Sequence, residues 1–275
     1  MTQPTSPDAL VSLLQDDTPA TRTAVRRALA RLGDRAVPAL ERAMDDGEPR
    51  LRARARQALL ELRADRGLER LEALLKTPET PLEEGLFAID DLLGAEGVAD
   101  ARRRFDAWGA ALSDALPTGS GPTDAADALR RLLGAEAGFV GPERDFHNVD
   151  HVSLGRTVAS RRGLPLTLCA VYQSVARRAG VAAALVPFPG QVLLIVGDEA
   201  EQRRILDPFS GGTEISEAAC LARLCAMGAP PSHEWLRPAA DRAMLVRQVR
   251  NLRAAMERHG RSRDAARLAR LIDEA

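Results

Sequence analysis

The apolar positions of the first 75 residues repeat with a period of 30. Leu10, Leu14, Asp16, Pro19, Arg22, Ala28, Leu29 and Leu32 return as Leu40, Met44, Asp46, Pro49, Arg52, Ala58, Leu59 and Leu62. In each copy apolar residues fall at i, i+3, i+4 and i+7 on both sides of an Asp/Pro turn, so each copy predicts a helix, a short turn and a second helix. A third copy begins near Leu71 and Leu75 and then loses register. Such copies bury their apolar faces only against neighbours, and arrays need about three of them, so this region is expected to dock onto the helices of 82–133.

The pattern changes after Thr77-Pro78-Glu79-Thr80-Pro81. Helical spacing runs through Leu82–Leu93, Ala99–Leu116 and Asp124–Leu133, followed by a Gly- and Pro-rich stretch over 134–150. Pro165–Ala179 reads as a buried helix ended by Gly180, and Ala183–Val186, Val192–Val196 and Ile205–Leu206 are short apolar runs of strand type. A helix followed by a few antiparallel strands predicts an α+β unit. From about 213 the chain is helical again: Leu245, Val249, Leu252 and Met256 form one stripe, His259-Gly260-Arg261-Ser262 breaks it, and Ala265, Leu268 and Leu271 form the next. This predicts a helical hairpin. The expected domains are therefore 1–76, 82–212 and 213–275 in a mostly α protein with a central α+β domain.

Composition narrows the chemistry. Thirty-eight basic residues face 39 acidic ones, which gives no global attraction to nucleic acid or to an anionic membrane. Lys76 is the sole lysine, so a Gly-Lys-Ser/Thr phosphate loop is absent. The run Arg50, Arg52, Arg54 and Arg56 is balanced by nearby acids and reads as an ion-paired face. No run approaches the roughly 20 apolar residues that span a bilayer. The start has no basic segment followed by an apolar run, as a secretory signal requires. Three cysteines, an odd number, do not make a disulfide framework and point to a reducing, cytoplasmic setting.

Two resemblances add to this reading. The 30-residue pattern, with an Arg three residues after the Pro, resembles HEAT-like repeats over about residues 7–75. Further on, Gly138-Phe139-Val140-Gly141, Arg161-Arg162-Gly163-Leu164-Pro165-Leu166-Thr167-Leu168, Val175-Ala176-Arg177-Arg178-Ala179-Gly180, Phe188-Pro189-Gly190 and Asp207-Pro208-Phe209-Ser210-Gly211-Gly212 stand in one order. Together they resemble the bacterial SirB-type family, transglutaminase-like (papain-like) domains with a tetratricopeptide-like tail, over about residues 82–275. Arg247–Leu252, "RQVRNL", resembles the start of that tail.

The resemblance implies a thiol chemistry: a helix-borne cysteine attacks an acyl carbon, a strand-borne histidine takes its proton, and an aspartate orients the imidazole. Asp207 matches the orienting position. The histidine of the family's "PGHF" motif is replaced by Gln191, which cannot act as a general base near neutral pH. Counting back from Gly180, the nucleophile position falls near Pro165, and Cys169 lies one helical turn beyond it. Cys169, Gln191 and Asp207 are thus the candidates for a degenerate triad. His147 and His151 are the alternative bases, in a cluster that lacks the His-Glu-x-x-His glutamate of a metal site. No cofactor and no metal are expected. Cys220 and Cys225 read as core residues.

Two functions remain open. One is a catalytically degenerate transglutaminase-like scaffold that binds protein partners through its helical repeats. The other is a cysteine-dependent amidase, peptidase or acyl transferase using Cys169.

Overall fold

In the computed structural model, which describes residues 6–95, 97–144, 148–198 and 202–273, the 30-residue period becomes paired helices. Helices α1 (Pro7–Ser12) and α2 (Pro19–Leu32) make the first pair, and α3 (Val37–Met44) with the start of α4 (Pro49–Lys76) makes the second. The repeated aspartate does the same work in both turns. Asp16 Oδ1 accepts from the Thr18 amide at 2.7 Å, and Asp46 Oδ1 from the Glu48 amide at 2.9 Å. Pro19 and Pro49 then open the next helix, where a missing amide hydrogen leaves no bond unmade. Leu10, Leu14, Leu29, Leu40, Leu59 and Leu62 share one core, and burying each such side chain contributes roughly 1.5–3 kcal/mol.

Much of the arginine run is held by the turns of this array. Arg50 and Arg54 reach Asp17 at 3.2 and 2.8 Å. Arg54 also donates to the carbonyls of Leu14 and Asp16, and Arg52 to those of Asp46 and Gly47.

The third copy does not form a helix of its own. Leu71 and Leu75 lie on α4, which continues unbroken to Lys76. Between the first two copies the chain turns at Gly33, where φ is 59°, and restarts at Pro38. Thirty residues later those places hold Arg63 and Leu68, good helix formers that let the helix run on.

By its contacts the chain divides into two units, one of residues up to Glu69 with Asp91–Gly94, the other of Arg70–Asp90 with Ala95 onward. The second unit contains most of α5 (Leu82–Leu93), then α6 (Val98–Ala115), α7 (Pro122–Leu129), α8 (Leu154–Ser160) and α9 (Pro165–Arg178). Strands β1 (Ala183–Val186), β2 (Leu193–Val196), β3 (Arg204–Asp207) and β4 (Thr213–Glu214) follow as an antiparallel meander in chain order. After them come α10 (Glu217–Ala226), α11 (Asp241–Arg258) and α12 (Ser262–Asp273).

The sheet is a middle layer. Alternate residues of a strand point to opposite faces, and β2 is buried on both. Leu193 and Ile195 join Val186, Ile205, Cys220 and Leu224 in a core with α10. The opposite face meets α9, in which every residue from Leu166 to Ala176 is buried. The entry to α8 is fixed from a distance: the fully buried Asp90 accepts the amides of Leu154 and Gly155 at 3.0 and 2.7 Å, an anion at a helix N-terminus.

Helix α7 does not end as the pattern predicts. It continues from Arg130 to Glu136 as a π-helical turn, which places Gly134 against the Gly211 carbonyl and the Tyr172 hydroxyl. Tyr172 is wholly buried, and its hydroxyl has no hydrogen-bond partner.

The C-terminal hairpin is tied into this unit. Its stripe residues Leu245, Val249, Leu252 and Met256 are buried, as are Ala265, Leu268 and Leu271. The fully buried Gln248 donates from Nε2 to the Val152 carbonyl and to Thr167 Oγ1, both at 2.9 Å. Asp241 at the start of α11 accepts from the Leu82 amide at 2.9 Å, from Gln173 at 3.2 Å and from both arms of Arg177.

Candidate functional site

The sequence motifs of the second unit converge. Val140 pairs with Arg162 and donates its amide to the Arg161 carbonyl at 3.1 Å, the Gly141 amide donates to the Phe209 carbonyl at 2.8 Å, and Arg162 donates to the Gly138 carbonyl at 3.1 Å. Three motifs far apart in the chain thus lie side by side. Arg161, whose φ is 63°, ends α8 and lays its guanidinium over Phe139 and Trp108 at 4.8 and 5.0 Å from the ring centroids.

Helix α9 begins at Pro165, a favoured first-turn position. Its start is reached by two bonds to one carbonyl: His151 O accepts from the Leu164 amide at 3.0 Å and from Thr167 Oγ1 at 2.9 Å. One turn deeper, Cys169 is wholly buried, and its Sγ donates to the Val192 carbonyl at 3.3 Å. Burial first, and then the charge of Asp207, push this thiol well above the ordinary thiol range, with Arg247 pulling back weakly. A thiol so shifted is held in its protonated form near neutral pH.

Gln191 ends the turn that follows β1. Gly190 takes φ 78° there, and the Gln191 amide donates to the Phe188 carbonyl at 3.1 Å. Its side-chain Nε2 is buried and without a partner. Asp207 is also buried, and no imidazole among the described residues bonds to it. Its carboxylate accepts from the Phe209 amide at 3.1 Å and the Ser210 hydroxyl at 2.9 Å, and so shapes the 3₁₀ turn Pro208–Ser210.

Gln191 and Pro165 line a pocket of about 140 Å³ together with Leu164, Arg247 and Asn251. Pro165 and Gln191, where the sequence resemblance expects a nucleophile and a base, thus both line this one pocket. Cys169 lies behind this pocket, bonded to the residue that follows Gln191. His151 is on the 3₁₀ turn Val149–Val152, with its ring Nδ1 buried and unpartnered and no hydrogen bond to Cys169, Gln191 or Asp207. His147 lies outside the described residues. Among the described residues no three His, Cys, Asp or Glu side chains are grouped to hold a metal ion.

Arg247 and Asn251 were not singled out as site residues from the sequence. Both belong to the "RQVRNL" segment, and their i, i+4 spacing beside the buried stripe is the signal that places two polar groups on one helix face. Arg247 donates to the Gln191 carbonyl at 3.3 Å, and no carboxylate pairs with it among the described residues.

Residues 99–250 match the Transglutaminase-like superfamily, and residues 7–85 match HEAT repeats. A UPF0162 protein of Pseudomonas aeruginosa is 30% identical over 209 residues, which is 73% of this chain and 75% of that protein. Two UPF0162 proteins of Xylella fastidiosa, strains Temecula1 and 9a5c, are 30% and 29% identical over 148 residues, 52% of this chain in each case. The chain spans about half the length of these two, 52% of each. No solved structure matches. The match over residues 99–250 and the relationship to the Pseudomonas protein place the chain in the transglutaminase-like superfamily and in the family of UPF0162 proteins.

Proposed function

We propose that this protein is a catalytically degenerate member of its superfamily and acts as a protein-binding scaffold through its helical repeats. The carrying observation is the state of Cys169: wholly buried, bonded to the Val192 carbonyl, pushed away from ionisation, and without a hydrogen bond to any imidazole among the described residues. Loss of a general base commonly lowers rates by orders of magnitude. Stacked helical pairs of the kind seen over residues 7–62 present extended faces suited to protein partners, and the C-terminal hairpin, read as tetratricopeptide-like, adds a second such element. The described residues contain no helix long and apolar enough to cross a membrane. All three cysteines are free, which supports a cytoplasmic setting.

The competing reading is a cysteine-dependent amidase, peptidase or acyl transferase. It is favoured by the unpartnered ring nitrogen of His151, whose own carbonyl is bonded to the first turn of α9. A panel of acyl-donor and peptide substrates separates the two. The scaffold reading expects no turnover by the wild type. Turnover that vanishes in a folded Cys169→Ala variant would replace it with the enzyme reading.

A further inference from the structure

The pocket between the start of α9 and α11 carries three polar side chains, Gln191, Arg247 and Asn251, the last of which also donates from Nδ2 to Gln248 Oε1 at 3.1 Å. Arg247 is partly buried, this burial lowers its proton affinity, and its one hydrogen bond is to a neutral carbonyl. A guanidinium in that position without a carboxylate is costly, because its hydration is reduced and one neutral acceptor replaces only part of it. Gln191 adds a second unused donor at Nε2. Its terminal torsion is soft, so the amide can turn toward the pocket at little cost. The first turn of α9 contributes a third element: Leu164 precedes it without a side-chain cap, and Leu164, Pro165 and Leu166 form part of the wall. The positive end of a 14-residue helix therefore opens on the same space.

We propose that this pocket is a binding site for a carboxylate, held by the Arg247 fork with help from Gln191, Asn251 and the start of α9. The planar guanidinium matches the two oxygens of a carboxylate, which can accept from it in parallel. The volume of about 140 Å³ admits a carboxylate and a few carbon atoms, such as the end of a small organic acid or of a peptide. The site is made jointly by the transglutaminase-like domain and the tail helix, and neither part holds all its donors. It does not depend on whether Cys169 has any activity.

The test is a titration of the full chain with sodium acetate at constant ionic strength, against sodium chloride, followed by the NMR signals of the arginine side chains. A parallel arm uses an alanine pentapeptide with a free C-terminus and its C-terminal amide. Saturable binding of acetate or of the free-acid peptide in the millimolar range or tighter is expected, with no binding of the amide. A free-acid peptide that binds at least tenfold tighter than acetate identifies a peptide end as the ligand, and equal binding identifies a small acid. Arg247→Met should weaken binding at least tenfold. Gln191→Glu places a carboxylate beside Arg247 and should abolish acetate binding while raising the melting temperature at neutral pH. The proposal is overturned if neither carboxylate saturates the wild type, or if a folded Arg247→Met or Gln191→Glu variant binds as the wild type does.

Discussion

Cys169 Sγ donates to the carbonyl of Val192, so the one thiol on the central helix bonds α9 to the residue that leads into the inner strand β2. Of the three cysteines only Cys225 is exposed. A thiol reagent should therefore label Cys225 quickly in the native protein, and Cys169 and Cys220 only at the rate of unfolding. Cys169→Ala should lower stability by about 1–2 kcal/mol, the usual size for a small buried deletion. Rapid native labelling of Cys169, located by mass spectrometry, would show that the helix opens to solvent.

Asp241 makes stability depend on acid pH. Burial pushes its carboxyl upward, but the bonds from Arg177, the Leu82 amide and Gln173, with the charge of Arg177, outweigh burial and hold it below the ordinary 3.8. The unfolded chain thus binds this proton more tightly than the folded one. The stabilisation is present in full above the unfolded value and is lost as pH falls through the folded one. Urea unfolding should show Asp241→Asn clearly weaker than the wild type at pH 7, with the gap closing below about pH 4. A gap unchanged down to pH 3 would contradict this account of Asp241.

Gly134 and Gly47 should respond oppositely to alanine. A Cβ on Gly134 would run into the Gly211 carbonyl and crowd the Tyr172 hydroxyl, whereas nothing lies within 4 Å of one on Gly47. Gly134→Ala should cost about 1–3 kcal/mol, as overpacking does. Gly47→Ala should be neutral or slightly stabilising through the unfolded chain. Equal midpoints for the two variants in denaturant would rule out the close approach at the π-helical turn.

Gln248 holds two elements at once, the Val152 carbonyl and Thr167 Oγ1. Replacing it with leucine leaves both buried acceptors short of a donor, a loss of about 1–3 kcal/mol. Thr167→Val in the same chain should add less than its separate effect, since the two share one bond. Strict additivity would mean that Gln248 acts only by filling space.

The helical and strand segments were largely legible because local signals mark them. Pro165 starts α9, Leu82–Leu93 and Ala183–Val186 stand where the pattern puts them, and the stripe from Leu245 to Met256 is buried. Two elements were not legible. The run of α4 past Leu62 follows from what is absent, a glycine or proline at Arg63 and Leu68. The π-helical turn at Gly134 is set by the approach of Gly211, 77 residues later, which no local pattern encodes. The site divides in the same way. Gln191, Cys169 and Asp207 could be named from motifs. The pairing of Gln191 with Arg247 joins residues 56 positions apart and needed the fold.

Tyr172 is the chain's single tyrosine, and burial above all, reinforced by the charge of Asp207, pushes its ionisation strongly upward. In alkaline solution the folded protein should therefore be almost free of phenolate absorbance, while the unfolded protein shows the full signal. The core carries its own optical probe at one known position. A spectrophotometric titration can follow the opening of the α9 layer without a label, and can separate it from changes in the repeat array, which contains no tyrosine.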